Sequence, residues 1–287
     1  MNTLTASGAV TGFTVNELAA CIIAREIRDD DLIFVGVGTN GRAFTLAVGI
    51  PLAACRLAQL RHAPGATVYW GNLLDPDLSS MPDNLRQDSL TRWHAAACPA
   101  DTGFKCDMLG RGRFDVSFES AAQVDRHGNL NITAIGDYAK PDVRLVGCLA
   151  QPEHLAFVRR PIIVVDLDKR TFVEQVDFVT SVGHQVRGTP RREFGLPGPG
   201  PALVVTDKAV FDFGSDGAMR LVSLHPGVTP DDVRSRMGFA PTIPENIPVT
   251  EQPSLGRVDS WESQIRLNVI QGFLLGGSLG RQGSAGS

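Results

Sequence analysis

The sequence predicts an α/β fold: an open, mostly parallel sheet with helices on both faces. Three observations predict it. A capped helical stretch, a short apolar run and a glycine-rich turn follow one another over residues 14–38, the opening order of an α/β unit. Short apolar runs then recur without a fixed period, which argues against a repeat array. Thirty glycines and 18 prolines in 287 residues supply the many short turns that such a chain needs.

The elements follow in order. T-V-N-E-L-A-A-C-I-I-A-R-E-I-R, from Thr14 to Arg28, opens with the capping-box spacing Thr14–Glu17 and has Leu18, Cys21 and Ile22 on one face; Asp29-Asp30-Asp31 ends it. L-I-F-V-G-V-G from Leu32 reads as a buried parallel strand running into glycines. A second helix is expected with Pro51 in its first turn, where a missing N–H costs nothing, and with Leu52, Cys55, Leu57 and Leu60 as its apolar face. His62-Ala63-Pro64 ends it, and T-V-Y-W is the next strand. Residues 71–107 lack periodicity and read as a long loop region with one or two short helices.

From Arg113 strands are expected in F-D-V-S-F, L-N-I-T-A-I-G, V-R-L-V-G and P-I-I-V-V-D, with D-R-H-G-N as a turn between the first two. A-L-V-V-T-D, A-V-F-D-F and M-R-L-V-S-L predict an antiparallel hairpin at a sheet edge. Thr229 to Val233 predicts a short capped helix, Pro241 to Pro253 an extended crossover, and Ser260 to Phe273 a final helix. Residues 1–272 are read as one domain and 273–287 as a flexible Gly/Ser-rich tail.

Composition narrows the function. A formal net charge of -4 gives no field that attracts nucleic acid. The five cysteines lack the paired spacing of a metal knuckle or a disulfide scaffold, and the N-terminus has no basic-then-apolar leader, so a reduced, cytoplasmic protein is expected. No uninterrupted apolar run reaches the length needed to span a bilayer. There is no P-loop, and V-G-V-G-T-N-G is too weak for a dinucleotide site. None of the six histidines forms an H-x-x-x-H pair, and no metal site is expected.

Glu119 is the unusual acid. It ends an apolar strand beside small residues, where a carboxylate is able to serve as acid, base or nucleophile, or to accept loop N–H bonds and stay inert. Cys148, at the end of V-R-L-V-G, is either a thiol nucleophile or a buried filler, the filler being the simpler reading. Gln123, Asp125, Gly128, Asn129 and Asn131 form a dense polar turn whose simpler reading is structural.

Several long stretches together resemble the beta subunit of class I coenzyme A transferases, closest to the glutaconate CoA-transferase group. They are V-G-I-P-L-A-A from Val48, H-A-P from His62, A-A-Q-V-D-R-H-G-N-L-N-I-T-A-I-G-D-Y from Ala121, K-R-T-F-V-E-Q-V-D-F-V-T-S from Lys169, G-L-P-G-P-G-P-A-L-V-V-T-D-K-A-V-F from Gly195 and L-H-P-G-V-T-P-D-D-V from Leu224. The resemblance implies a CoA-transferase-like (NagB/RpiA-type) fold and an alpha-like partner subunit in an α2β2 assembly. It also implies an acyl-CoA substrate with no bound cofactor, CoA being part of the substrate. It places substrate contacts at Gly49, Trp70, Gly71 and Asn72 in the first half, and at Ser120, Gln123, Gly147 and Cys148 in the second.

Two departures bear on chemistry. The family's glutamate nucleophile lies in an E-S-G segment after the H-A-P strand; here T-V-Y-W-G-N-L-L-D puts Gly71, or Trp70, at that place, and neither is a nucleophile. The glycine-rich run that assists the oxyanion is here Gly147-Cys148-Leu149-Ala150-Gln151. The wider family is similar to subunits that hydrolyse a carbon–carbon bond in a cyclic β-keto acyl-CoA during steroid ring degradation, and to decarboxylases. The expectation is therefore a beta-like subunit that uses water, with Glu119 or a carboxylate of the alpha-like subunit as base. The alternatives are a genuine CoA-transferase and a non-catalytic CoA-binding or structural subunit.

Overall fold

The computed structural model describes residues 13–39, 41–79, 93–97 and 101–253. These form two compact units, one of residues 13–31 and 35–97, the other of residues 32–34 and 101–252. The expected final helix and the tail lie outside the described residues, as does Cys98.

In the first unit, α1 (Val15–Glu26) starts at the capping box read from the sequence, with Glu17 N–H donating to Thr14 Oγ1 at 3.2 Å. It packs on α2 (Ile50–Arg61). The second helix begins earlier than Pro51 suggested. One turn, Gly41–Phe44, leads into a π-helical stretch, Thr45–Gly49, which continues directly into α2. Pro51 has no N–H for an i→i−4 bond, and just before it the ladder widens, with Ile50 N–H reaching back to Thr45. By length and composition Gly41–Arg61 is apolar enough to cross a membrane, although Arg42, Arg56 and Gln59 interrupt the apolar run; more than half of it is buried within the protein.

The expected strand T-V-Y-W is β2 (Thr67–Trp70), and it forms an antiparallel meander with β3 (Leu73–Pro76) and β4 (Ala95–Ala97), which lie where a loop was expected. Trp70 pairs with Leu73, which leaves Gly71-Asn72 as a two-residue turn. Gly71 has φ 60° and Asn72 is not in the left-handed region, the pattern of a type II′ turn with glycine first.

In the second unit a six-strand sheet runs in the order β9-β8-β7-β6-β5-β1. Here β1 is Leu32–Val35, β5 Val116–Glu119, β6 Arg160–Val164, β7 Leu203–Val205, β8 Ala209–Phe213 and β9 Met219–Leu224. The pairs among β1, β5, β6 and β7 are parallel, and β7-β8-β9 is the antiparallel edge that the sequence predicted. With the meander included, the fold is α/β with a mixed sheet and flanking helices rather than a mostly parallel one. The helices described in this unit are α3 (Thr102–Gly110), α4 (Gln151–Phe157) and α5 (Pro230–Ser235). Thr229 and Asp232 form the capping box of α5. The core gathers Val124, Leu155, Ile163, Phe172, Val204, Phe211, Leu221 and Val233.

Two expected central strands are not in that sheet. L-N-I-T-A-I-G breaks into two-residue ladders because Asn131 Oδ1 accepts from the N–H groups of Thr133 and Ala134, turning the chain away from an extended course. V-R-L-V-G contributes only Val143–Arg144, paired with Ala134–Ile135, and it is exposed rather than buried, with Val146 75% accessible.

Two polar features tie the unit together. Asp125 and Asn129 close the D-R-H-G-N turn, with Asn129 Nδ2 2.8 Å from Asp125 Oδ2, and Gly183 N–H reaches Asn129 Oδ1 at 2.8 Å. Burial raises the pKa of Asp125 against the lowering effect of the bonds it accepts from the Asn129 side chain and from the His127 and Asn129 N–H groups. The buried guanidinium of Arg191 donates to the carbonyls of Gly198 at 2.7 Å, Val182 at 2.6 Å and Gly183 at 3.1 Å, and to that of Leu155. Burial draws its pKa down to about 10, which still leaves it charged at neutral pH.

Candidate active site

Strand β5 is buried along its whole length, as a central strand covered on both faces must be. Side chains alternate along it, so Ser117 and Glu119 share one face while Val116 and Phe118 take the other. That spacing brings Ser117 Oγ to 2.8 Å from Glu119 Oε1. The alternation V-S-F-E therefore encodes a supported carboxylate.

Helix α4 supplies the partner. Gln151 and His154 are three residues apart and lie on its buried face together with Leu155. His154 Nδ1 stands 2.9 Å and 3.2 Å from the two oxygens of Glu119. The two side chains are 7% and 2% exposed, so this carboxylate–imidazole pair is in the interior. The Phe34 ring lies against the imidazole, centroids 4.3 Å apart and tilted by 58°. The other ring nitrogen, Nε2, is buried and has no hydrogen-bond partner among the described residues. Gln151 anchors the start of the helix, donating to the Ser120 carbonyl at 2.9 Å and accepting from Ser181 Oγ at 3.1 Å.

The structure places Glu119 at the end of β5, with its carboxylate already engaged. Ser120 follows it, half-buried, its carbonyl held by Gln151. Gln123 is committed within the chain: its oxygen accepts from Asn131 Nδ2 at 2.8 Å and from Asp177 N–H at 2.9 Å, and its Nε2 donates to Asp177 at 3.0 Å. Gly147 takes φ 79° with open space where a Cβ would stand. Cys148 beside it is exposed, not the buried filler that the sequence suggested.

In the other unit, Gly49 is buried as the last residue of the π-helical stretch. Trp70 is 1% exposed, donates its indole N–H to the Gly36 carbonyl at 2.8 Å, and meets the ring of Trp93 edge-on at 5.3 Å. Gly71 and Asn72 form the turn after it, Asn72 half-buried. Reasoning from sequence missed His154, Ser117 and Gln151; the signals able to find them are S-x-E on a buried strand and Q-x-x-H on the helix behind it.

Comparison with known proteins adds a framework to this geometry. The family model described as Coenzyme A transferase matches residues 16–236. The chain is 34% identical over 248 residues to one of the subunits of 3-oxoadipate CoA-transferase from Pseudomonas knackmussii, covering 85% of this chain and 90% of that one. It is 40% identical over 225 residues to the cholesterol ring-cleaving hydrolase IpdB subunit of Mycobacterium tuberculosis, covering 78% and 83%. The glutaconate coenzyme A-transferase crystal structure from Acidaminococcus fermentans superposes with a TM-score of 0.74 at 29% identity, over 91% of this chain and 96% of that one. The matched span runs from the first turn of α1 to the end of α5 and takes in Glu119 and His154. This chain belongs to the coenzyme A transferase family, as a member of its class I beta-subunit type.

Proposed function

We propose that the chain is the beta-like subunit of a heteromeric enzyme that acts on an acyl-CoA thioester by hydrolysis or carbon–carbon cleavage, with no covalent glutamyl intermediate. One observation carries the reading. The place that the sequence resemblance gives to the family's nucleophile is here a type II′ turn: Trp70 is locked in the core by its indole bond, and Gly71 holds φ 60°, a conformation that disfavours any side chain. The 40% identity to a subunit named as a ring-cleaving hydrolase supports it.

The proton-transfer group on this side of the reaction is the buried Glu119–His154 pair. Gly147 and Cys148, at an exposed turn, and Ser120, beside the pair, are the positions from which this chain contacts the thioester. The assembly is α2β2 with an alpha-like subunit, in the cytoplasm, and CoA enters as part of the substrate. The test is to incubate the purified complex with acyl-CoA and hydroxylamine and examine this chain by mass spectrometry. No hydroxamate is expected at any carboxylate; a hydroxamate on this chain refutes the reading in favour of a transferase.

A further inference from the structure

We propose that His154 is the catalytic base of this subunit, acting through Nε2 on a water molecule, and that Glu119 and Ser117 are positioning residues. The inference rests on the water-using reaction proposed above and deepens it by naming the atom that takes the proton.

Glu119 cannot easily be that atom. An ionised carboxylate only accepts hydrogen bonds, so its two neighbours, 2.8 Å and 2.9 Å away, must both donate to it. Ser117 gives its hydroxyl proton and His154 gives Nδ1–H. In the neutral imidazole this leaves Nε2 as the nitrogen with the free lone pair. A carboxylate that orients a histidine and fixes its tautomer is a recurring device for making the far nitrogen a base.

The bland alternative is a buried pair that merely fastens α4 to β5. Stability alone gives little reason to retain it, since well-packed apolar residues of similar volume avoid the cost of taking a carboxylate and an imidazole out of water. It also leaves Nε2 unexplained: a buried polar atom without a partner carries its desolvation penalty uncompensated. An ordered water bound at Nε2 satisfies it, and that water is the one the base activates.

The step balances with water alone. As the water oxygen bonds to the keto carbon of a β-keto acyl-CoA, Nε2 takes one water proton and the carbonyl electron pair moves to oxygen. Collapse of that adduct breaks the carbon–carbon bond, its electron pair passing to the carbon next to the thioester, where the thioester carbonyl delocalises it. The imidazolium then returns its proton to that carbon. The products are a carboxylic acid and a shortened or ring-opened thioester, and the histidine ends neutral.

The test uses the complete complex with 2-oxocyclohexanecarboxyl-CoA as probe and three variants. His154→Asn keeps an N–H for Glu119 and removes the base; kcat is expected to fall about 10²- to 10⁴-fold with KM little changed. Glu119→Gln keeps an acceptor oxygen for Nδ1–H but removes the negative charge that stabilises the imidazolium. It is expected to lower kcat comparably and to move the ¹⁵N titration of His154 to lower pH. Ser117→Ala is expected to act in the same direction and less. A His154→Asn complex that keeps more than about a tenth of wild-type kcat overturns the proposal, against the loss that general bases show. So does a wild-type spectrum with the proton of the neutral ring on Nε2, which needs no substrate to read. Hydroxylamine trapping of a thioester on the wild-type chain would instead sink the water-using reading, whichever way His154→Asn behaves.

Discussion

Gly183→Ala should be among the most damaging single changes in the second unit, although it adds one methyl group. A Cβ at residue 183 would stand 2.1 Å from the His127 carbonyl oxygen, 2.5 Å from the Gly128 carbonyl carbon and 2.7 Å from the Asn129 nitrogen. All three are backbone atoms, so no rotamer change relieves the clash, and the D-R-H-G-N turn must draw away from the segment after Ser181. Two bonds span that contact: Gly183 N–H to Asn129 Oδ1 at 2.8 Å and His184 N–H to the His127 carbonyl at 2.8 Å. Losing them costs about 1 kcal/mol each, and forced overpacking adds about 1–3 kcal/mol. The sum is a destabilisation of about 3–5 kcal/mol. Urea unfolding followed by circular dichroism reads it as a lower midpoint at unchanged slope. A loss below about 1 kcal/mol, within the range of an ordinary surface change, would refute the steric reasoning and the structural role given to this turn.

Two further outcomes are expected. Burial lowers the pKa of both His184 and His225 below the ordinary 6.5. Both therefore stay neutral in the fold where the unfolded chain begins to bind protons, and stability should fall as pH drops through 6.5 toward their folded values. Unfolding at pH 7.5, 6.5 and 5.5 checks this. His225→Gln should remove part of that slope, and an unchanged slope would count against His225 as a source. Gly71→Glu, which puts a carboxylate near the place that the sequence resemblance gives to the family's nucleophile, should cost about 1–2 kcal/mol for a side chain in the left-handed region and yield no CoA adduct. Mass spectrometry of the variant complex with acyl-CoA detects such an adduct if one forms.

Much of the fold was legible because local chemistry and tertiary structure agree. Thr14 and Glu17, Thr229 and Asp232, and the β7-β8-β9 hairpins do in space what their spacing announces. The misreadings have physical causes. Gly71-Asn72 is a two-residue hairpin signal, but it lies beside a stretch rich in Asp and Pro whose composition suggested a loop. V-R-L-V-G has strand-like residues, yet its backbone is used in a short exposed ladder on Ala134–Ile135 and in bonds from Leu145 and Gly147 to Thr133 and Ile132. At the site, Glu119 stood out as a carboxylate ending an apolar strand. His154 did not, because it lies 35 residues away and only the crossover from β5 through α4 brings the two together. Contacts made by such a crossover have no local pattern to betray them.

The guanidinium of Arg191 is a single knot for three distant strings. Its donors hold carbonyls at the end of α4, in the segment after Ser181 and at Gly198, so none of these can loosen while the others remain fastened. Amide protons across the three should therefore exchange with solvent as one group, at a common rate set by a shared opening. Because α4 also carries His154, the same opening would release the imidazole from its carboxylate, so that the lifetime of the poised pair is governed from a residue that never touches it.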